Sequence, residues 1–143
     1  MASNALSPAE IFERMMEEDL FSRWMGIELI ELRRGYCKLS MRVRPEMLNG
    51  FGILHGGVSF SFADSAFAFA SNSHGRLSVS QTSQITHVKA AEAGDILIAE
   101  AQELQLGQKM ATYDVKVYRD ENQELIALFR GSVYRTSRSF DQA

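Results

Sequence analysis

The sequence has little cysteine and little excess charge. Cys37 is the single cysteine among 143 residues, so an intramolecular disulfide is excluded and a reduced compartment is indicated. No group of Cys and His has the spacing of a zinc site, so we expect no metal. The net charge is −3 and the 15 basic residues are scattered along the chain, which argues against a nucleic-acid partner.

Long apolar runs are also missing. No apolar stretch reaches the about 20 residues that cross a bilayer. Residues 1–21 carry acidic side chains where a secretory signal peptide needs an apolar run. We therefore expect a soluble, cytoplasmic protein with no membrane partner. Since 45% of the residues are apolar and 10% aromatic, the chain can build the core of one compact domain, residues 1–143.

The first third of the sequence predicts a helix and a hairpin. Ser7, Pro8 and Glu10 have the types expected at the N-cap, N1 and N3 positions, and apolar residues at helical spacing extend the helix over 8–24. A strand from residue 27, a turn at 33–35 and a second strand over 36–43 follow. The second strand alternates apolar and polar residues, as in a sheet with one wet face.

The rest of the chain predicts a loop, a long helix and four strands. The loop covers 45–54 and the helix 56–73, and the strands cover 77–89, 96–106, 111–119 and 125–135. Short connections suggest that the four strands form an antiparallel meander. We expect residues 1–7 and 136–143 to be flexible ends. The order of elements favours an α+β fold in which an antiparallel sheet wraps around one long central helix, with an extra N-terminal helix.

The long helix has apolar residues on opposite sides. Phe60 and Phe67 point one way and Phe62 and Phe69 nearly the other, so we expect burial all round. A stripe of small residues suited to close packing comprises Ser59, Ala63, Ala66 and Ala70. The remaining sector is a narrow polar strip made of Ser61, Asp64, Ser65, Ala68 and Asn72.

Asp64 is the unusual residue of this strip. A buried carboxylate without partners costs several kcal/mol, so it must be hydrogen-bonded, protonated or facing a wet cleft. One interpretation is structural, with Ser61, Ser65 or a neighbouring strand holding the carboxylate. The other is catalytic, because perturbed carboxylates gather at functional sites.

His55-Gly56-Gly57 begins the same helix. Glycines leave backbone N–H groups uncovered, and the helix dipole favours an anion or a developing oxyanion there. Asp64 lies about 12 Å along the axis from Gly56, too far for both groups to reach one carbonyl in a straight helix. Either the glycine turn folds back or the carboxylate comes from a second subunit, and we predict a site at a dimer interface.

The motifs resemble the hotdog thioesterases of the phenylacetic-acid-degradation (PaaI-like) type. Leu48-Asn49-Gly50, then His55-Gly56-Gly57, then Ala63-Asp64-Ser65-Ala66-Phe67 follow that family's pattern, and residues 72–75 and 126–131 are similar to it as well. The resemblance implies a hotdog fold, acyl-CoA thioesterase activity, and dimers paired into tetramers.

The resemblance also implies roles for individual residues. Asp64 is the nucleophile or the general base that activates water, the Gly56 amide polarises the thioester carbonyl, and His55 and Asn49 position that group from the facing subunit. No metal or cofactor is needed, since CoA is part of the substrate. The acyl group is expected to be a small aryl or a medium-chain one. The candidate substrate-binding residues are Gly57, Ser65, Phe60, Phe67, Ser80, Thr82, Lys89 and Lys109.

Two other functions stay open at this point. A non-catalytic hotdog module that binds acyl-CoA needs the pocket without the carboxylate, so Asp64 argues against it. A hotdog hydratase or dehydratase needs a catalytic His working with an acidic residue, and His55 with Asp64 could supply that pair. The Ala-Asp-Ser-Ala-Phe context looks like the thioesterase.

Overall fold

The computed structural model describes residues 5–142, and its N-terminal region contains two helices. These are α1, Pro8–Glu18, and α2, Leu20–Met25. The capping box is confirmed, since Glu10 N–H donates to Ser7 Oγ at 3.2 Å and Ser7 N–H donates to the Glu10 carboxylate at 3.1 Å. The single helix predicted over 8–24 is wrong. Asp19 leaves helical geometry and caps α2, because its side chain accepts the Ser22 N–H.

The long helix and six strands follow. The strands are β1 Glu28–Arg33, β2 Tyr36–Arg42, β3 Arg76–His87, β4 Ile96–Leu106, β5 Met110–Arg119 and β6 Leu125–Ser139, and the helix is α3, Gly56–Asn72. A 3₁₀ turn at Pro45–Met47 precedes the loop that leads into α3. The predicted elements from residue 27 onward are therefore confirmed to within a few residues.

All strand pairs of the sheet are antiparallel, in the order β1-β2-β4-β5-β6-β3. The predicted four-strand meander is wrong for its first member. β3 pairs with β6 at one edge, and β2 occupies the place beside β4 that the meander would give to β3. Residues 88–95 therefore cross the sheet instead of forming a hairpin.

The core lies between α3 and the concave face of the sheet. α3 packs against β2, β3, β4, β5 and β6. The small-residue stripe is buried as predicted, with Ala63, Ala66 and Ala70 all at 0% exposure. This arrangement, one helix held by a curved antiparallel sheet, is the predicted hotdog layout. The expectation of burial all round is wrong for the single chain, because Ser61, Asp64 and Ala68 stay half-exposed along one strip.

The C-terminal segment is more ordered than predicted. Residues 136–139, expected to be a flexible end, continue β6, and Phe140–Gln142 forms a 3₁₀ turn. Thr136 Oγ1 donates to the Leu77 carbonyl at 2.6 Å, which ties this end to β3. Of the flexible N-terminal end predicted over 1–7, residues 1–4 lie outside the described part of the chain, as does residue 143. Ser7 is fixed as a cap.

Two further findings concern the single cysteine and the helices. Cys37 is fully buried, and burial raises the pKa of its thiol to about 12. Across residues 5–142, every helix is too short or too polar to cross a bilayer.

Candidate active site

Asp64 lies in the middle of α3 with a half-buried side chain. Its carboxylate has no hydrogen-bond or ion-pair partner among residues 5–142. The nearby hydroxyls are engaged elsewhere, since Ser61 Oγ donates to the Gly57 carbonyl at 2.8 Å and Ser65 Oγ lies 2.8 Å from Ser22 Oγ. The geometry therefore does not support the structural interpretation in which these serines hold Asp64.

A second carboxylate approaches the same part of α3. Asp19 accepts hydrogen bonds from Ser22 N–H at 3.0 Å and from Ser22 Oγ at 2.7 Å. Because Ser22 gives its one hydroxyl proton to Asp19, Ser65 donates in the Ser22–Ser65 hydrogen bond. Burial, and then the negative charge of Asp19, raise the pKa of Asp64 above its ordinary value of 3.8. A carboxylate with a raised pKa is a better proton acceptor.

The first turn of α3 presents a free backbone donor. His55 is the N-cap, and its Nδ1 accepts the Gly57 N–H at 2.8 Å. The neutral imidazole therefore carries its proton on Nε2. The Gly57 N–H is thereby engaged, whereas the Gly56 N–H has no acceptor in the described part of the chain. This N–H, at the positive end of the helix dipole, suits a carbonyl oxygen on which negative charge develops.

Asn49 lies in the loop that precedes α3. Its Oδ1 accepts the N–H groups of Phe51 at 2.9 Å and Ile53 at 3.4 Å, which fixes the loop. The NH₂ group of the same amide has no partner within residues 5–142. Asn49 and Gly56 line one cavity of about 370 Å³, together with Ser59, His87, Lys89 and Ile126. Asn49 and Gly56 of the same chain thus lie at one cavity, whereas the resemblance implied that Asn49 acts from the facing subunit.

The match to a family model follows this geometry. The model described as the thioesterase superfamily matches residues 51–126, more than half of the chain, and this span contains His55, Gly56 and Asp64. The chain belongs to the thioesterase superfamily. This thioesterase is accordingly a thioester hydrolase, as the sequence motifs predicted.

Similar proteins cover most of this thioesterase. A putative esterase of Archaeoglobus fulgidus is 44% identical over 126 residues, covering 88% of this chain and 81% of its own. The acyl-coenzyme A thioesterase PaaI of Escherichia coli is 38% identical over 121 residues, covering 85% and 86%. The solved structure of the E. coli PaaI protein has a TM-score of 0.89 and 35% identity, covering 92% of this chain and 95% of that one. The hotdog fold and the resemblance are confirmed.

The predicted aromatic and polar pocket residues lie in different surroundings. Phe60 is half-buried and makes an edge contact with Phe129, with ring centroids 5.5 Å apart. Phe67 is 1% exposed and packs between Tyr113 and Phe129, so it is a core residue of this thioesterase.

The predicted residues with hydroxyl groups also separate. Ser65 is buried, and its hydroxyl bonds to Ser22 rather than opening on a cleft. Ser80 and Thr82 are exposed on β3, on either side of a β-bulge, opposite Val133 and Ser132 of β6. Within a single chain, these three residues are not gathered around Gly56.

The two predicted lysines are far apart in one chain. Lys89 follows β3 and ion pairs with Glu124 at 2.9 Å. The carbonyl of Lys109 accepts the Arg135 N–H, so Lys109 lies beside Arg135 of β6. Lys89 lies two residues after His87, which pairs with Ala127 of β6, eight residues from Arg135. That separation is about 26 Å of strand, so one phosphate group cannot contact both lysines of the same subunit.

Two residues of the site were missed by sequence reasoning. Asp19 was read as part of a continuous helix, although an Asp followed three residues later by Ser22 is a capping signal. His87 fell within the strand predicted over 77–89 and was given no role. Strand alternation could have found it, because Ile85, two residues earlier on the same face, packs against the core. Within residues 5–142, no three His, Cys, Asp or Glu side chains cluster as metal ligands would.

Proposed function

We propose that this thioesterase hydrolyses an acyl-CoA ester of a small aryl or medium-chain acid, releasing the free acid and CoA. The observation that carries the proposal is the unpaired Asp64 carboxylate, with its raised pKa, on a helix whose first N–H, at Gly56, also lacks an acceptor. An oxyanion donor and a basic or nucleophilic carboxylate are the two groups that the reaction needs. The E. coli relative, named an acyl-coenzyme A thioesterase, supports the substrate class.

The proposed reaction assigns one task to each group. The Gly56 N–H donates to the thioester carbonyl oxygen, and the NH₂ of Asn49 and the Nε2–H of His55 orient that carbonyl. Asp64 either attacks the carbonyl carbon or takes a proton from the water that does. The carbon–sulfur bond then breaks and CoA leaves as a thiol once its sulfur is protonated.

We place the active site between two subunits. Gly56 is the first residue of a regular helix, so its N–H points away from Asp64, which lies about two turns further along. A glycine turn that folds back is not available, because Gly56 is already helical. We therefore infer that the Gly56 N–H of one subunit and the Asp64 carboxylate of another act on the same thioester.

The β3 edge is the proposed surface for that pairing. β3 is 12 residues long and pairs with β6 on one side only, and residues 79–84 are exposed on both faces. A long unpaired edge is a template for another strand. We propose that two copies join their β3 edges in a homodimer, and that dimers pair into tetramers as the family resemblance implies.

The first experiment measures thiol release by purified wild type, Asp64→Asn and Asp64→Ala. The panel contains phenylacetyl-CoA, benzoyl-CoA and medium-chain acyl-CoA esters. We expect wild type to turn over at least one of them and both variants to lose most activity, because the chemical group at Asp64 is removed while Asn keeps its shape.

The outcomes separate the candidate functions. The ester with the highest kcat/KM identifies the acyl class. Wild type that binds CoA esters without releasing thiol would replace the hydrolase by a binding module. An Asp64→Asn protein that keeps wild-type kcat, with the same size-exclusion profile, would remove Asp64 from the chemistry.

A further inference from the structure

His87 is a titratable side chain in the Gly56 cavity that the proposed reaction has not used. It ends β3, and its Cα lies opposite Ala127 of β6. Its ring lies against the start of α3, because a methyl group added to Gly56 would lie only 3.0 Å from His87 Nε2 and 3.2 Å from Cε1. An imidazole nitrogen therefore lies beside Gly56, the residue whose backbone N–H we assign to the thioester carbonyl.

The hydrogen bonds around His87 determine which ring nitrogen is available to a substrate. Ser59 Oγ donates its only proton to the Gly56 carbonyl oxygen at 3.1 Å. His87 Nδ1 lies 3.4 Å from the same Oγ, so it is the donor of that contact. Nε2 has no partner in the described part of the chain. It is left to accept or, on the protonated ring, to donate.

The open side of the cavity is the side of the leaving group. With the carbonyl oxygen on the Gly56 N–H, the acyl chain and the sulfur take the two remaining directions. The pantetheine arm on the sulfur must reach solvent, and the cavity wall made of residues 87–90 is exposed. Placing the sulfur on this side, which is open in a single chain, lets the pantetheine arm reach solvent and brings the sulfur to His87.

We propose that His87 protonates the departing CoA sulfur. The proposal rests on the proposed function, in which Gly56 holds the carbonyl. As the carbon–sulfur bond breaks, its electron pair goes to sulfur, the Nε2 proton of the imidazolium passes to that sulfur, and CoA leaves as a neutral thiol. The imidazole regains a proton from solvent, and the proton that the consumed water loses, either to Asp64 as base or on hydrolysis of an acyl-Asp64 intermediate, returns to solvent.

The other titratable groups around the cavity are already engaged, so His87 is the group that can donate a proton to the sulfur. Lys89 is paired with Glu124 at 2.9 Å, and His55 has its Nδ1 engaged with Gly57. β6 presents Ile126 to the same cavity. His87 is the titratable group whose ring edge meets the Gly56 turn.

Two variants separate proton transfer from packing and hydrogen bonding. His87→Asn places an amide near Nδ1 and can keep the Ser59 contact, whereas His87→Gln places an amide near Nε2 and can keep a hydrogen bond to the substrate. Neither amide can give up a proton as an imidazolium does. Each variant is assayed with the best acyl-CoA and with the para-nitrothiophenyl ester of the same acid, whose thiolate leaves without protonation.

We expect both variants to lower kcat on the acyl-CoA by about 100-fold, the low end for a positioned proton donor, and to leave turnover of the nitrothiophenyl ester within about threefold of wild type. Equal losses on both substrates, a raised KM with unchanged kcat, or wild-type kcat in His87→Gln would each overturn the proposal. Failure of the proposed function gives a different pattern, namely a wild type inactive on every CoA ester or an Asp64→Asn protein that is still active.

Discussion

At the scale of single residues, Asp64 is costly for folding and is the proposed catalytic carboxylate. Its carboxylate lies in a half-buried strip and has no partner in the part of the chain that the structure describes, and burial together with the charge of Asp19 raises its pKa. An ionised carboxylate in such a place costs folding free energy. The residue is therefore better explained by chemistry than by stability, as expected where function and stability conflict.

Asp64→Asn should stabilise the protein at neutral pH. The folded-state pKa lies above 3.8, so between 3.8 and the raised value the native state binds more protons than the unfolded state, and stability falls as pH rises. Asparagine does not ionise, so the variant gains about 0.5 to 1 kcal/mol above that window. Urea unfolding at one protein concentration, at pH values from about 3.5 to 8, measures the difference.

The same unfolding experiment across pH can also contradict the prediction. The gain should be constant at the alkaline end and shrink as pH falls into the window, since wild-type Asp64 is then protonated. An Asp64→Asn protein that is less stable than wild type at pH 8 would mean that the carboxylate has a stabilising partner.

Some residues of the site could be found from sequence and others could not. Asp64 and Gly56 stand out because a carboxylate and a glycine pair are unexpected on an apolar helix. Asp19 and His87 belong to other elements, and their proximity to α3 depends on how α2 and β3 pack. A one-dimensional pattern does not contain that information.

At the scale of elements, the start of α3 carries the proposed carbonyl-binding N–H. His55 adopts extended geometry, with φ −64° and ψ 132°, and the helix begins at Gly56. A proline fits the first helical position, and extended geometry suits the residue before it. Gly56 can therefore be replaced by a residue that lacks the N–H while the helix is kept.

Gly56→Pro and Gly56→Ala form a matched pair. Both add a Cβ next to His87, but only proline removes the N–H, so we expect Gly56→Pro to lower kcat by about 100- to 1,000-fold, the loss for one oxyanion donor. Gly56→Ala should lose less, because its N–H remains and the His87 ring can move. Thermal unfolding checks that both fold, and equal kcat values for the two variants would rule out the Gly56 amide as the donor.

The elements also show where local patterns stop being informative. Residue periodicity and turn residues locate α3 and the strands well, although residues 79–84 of β3 are exposed on both faces. It joined α1 and α2 because Leu20 and Trp24 continue the apolar spacing, although the Leu20 side chain is 71% exposed. It also missed the crossing of residues 88–95, because strand order depends on pairing between residues far apart in the sequence.

At the scale of the whole molecule, the two groups that we propose to react are too far apart within a single chain. The free N–H at Gly56 and the carboxylate of Asp64 are on one straight helix, about 12 Å apart along its axis. The unpaired edge of β3 and the half-exposed strip around Asp64 both offer surface to a second copy. The shared active site is thus the central claim about this thioesterase.

The most direct test is subunit complementation between Asp64→Asn and Gly56→Pro. The two chains are co-expressed with different tags, mixed dimers are purified through both tags, and thiol release from the best acyl-CoA is measured. A mixed dimer has one site with both intact groups, so we expect about half of wild-type activity per dimer, while each parent homodimer stays nearly inactive. Mixed dimers as inactive as the parents would contradict the shared site and place both groups in the same subunit.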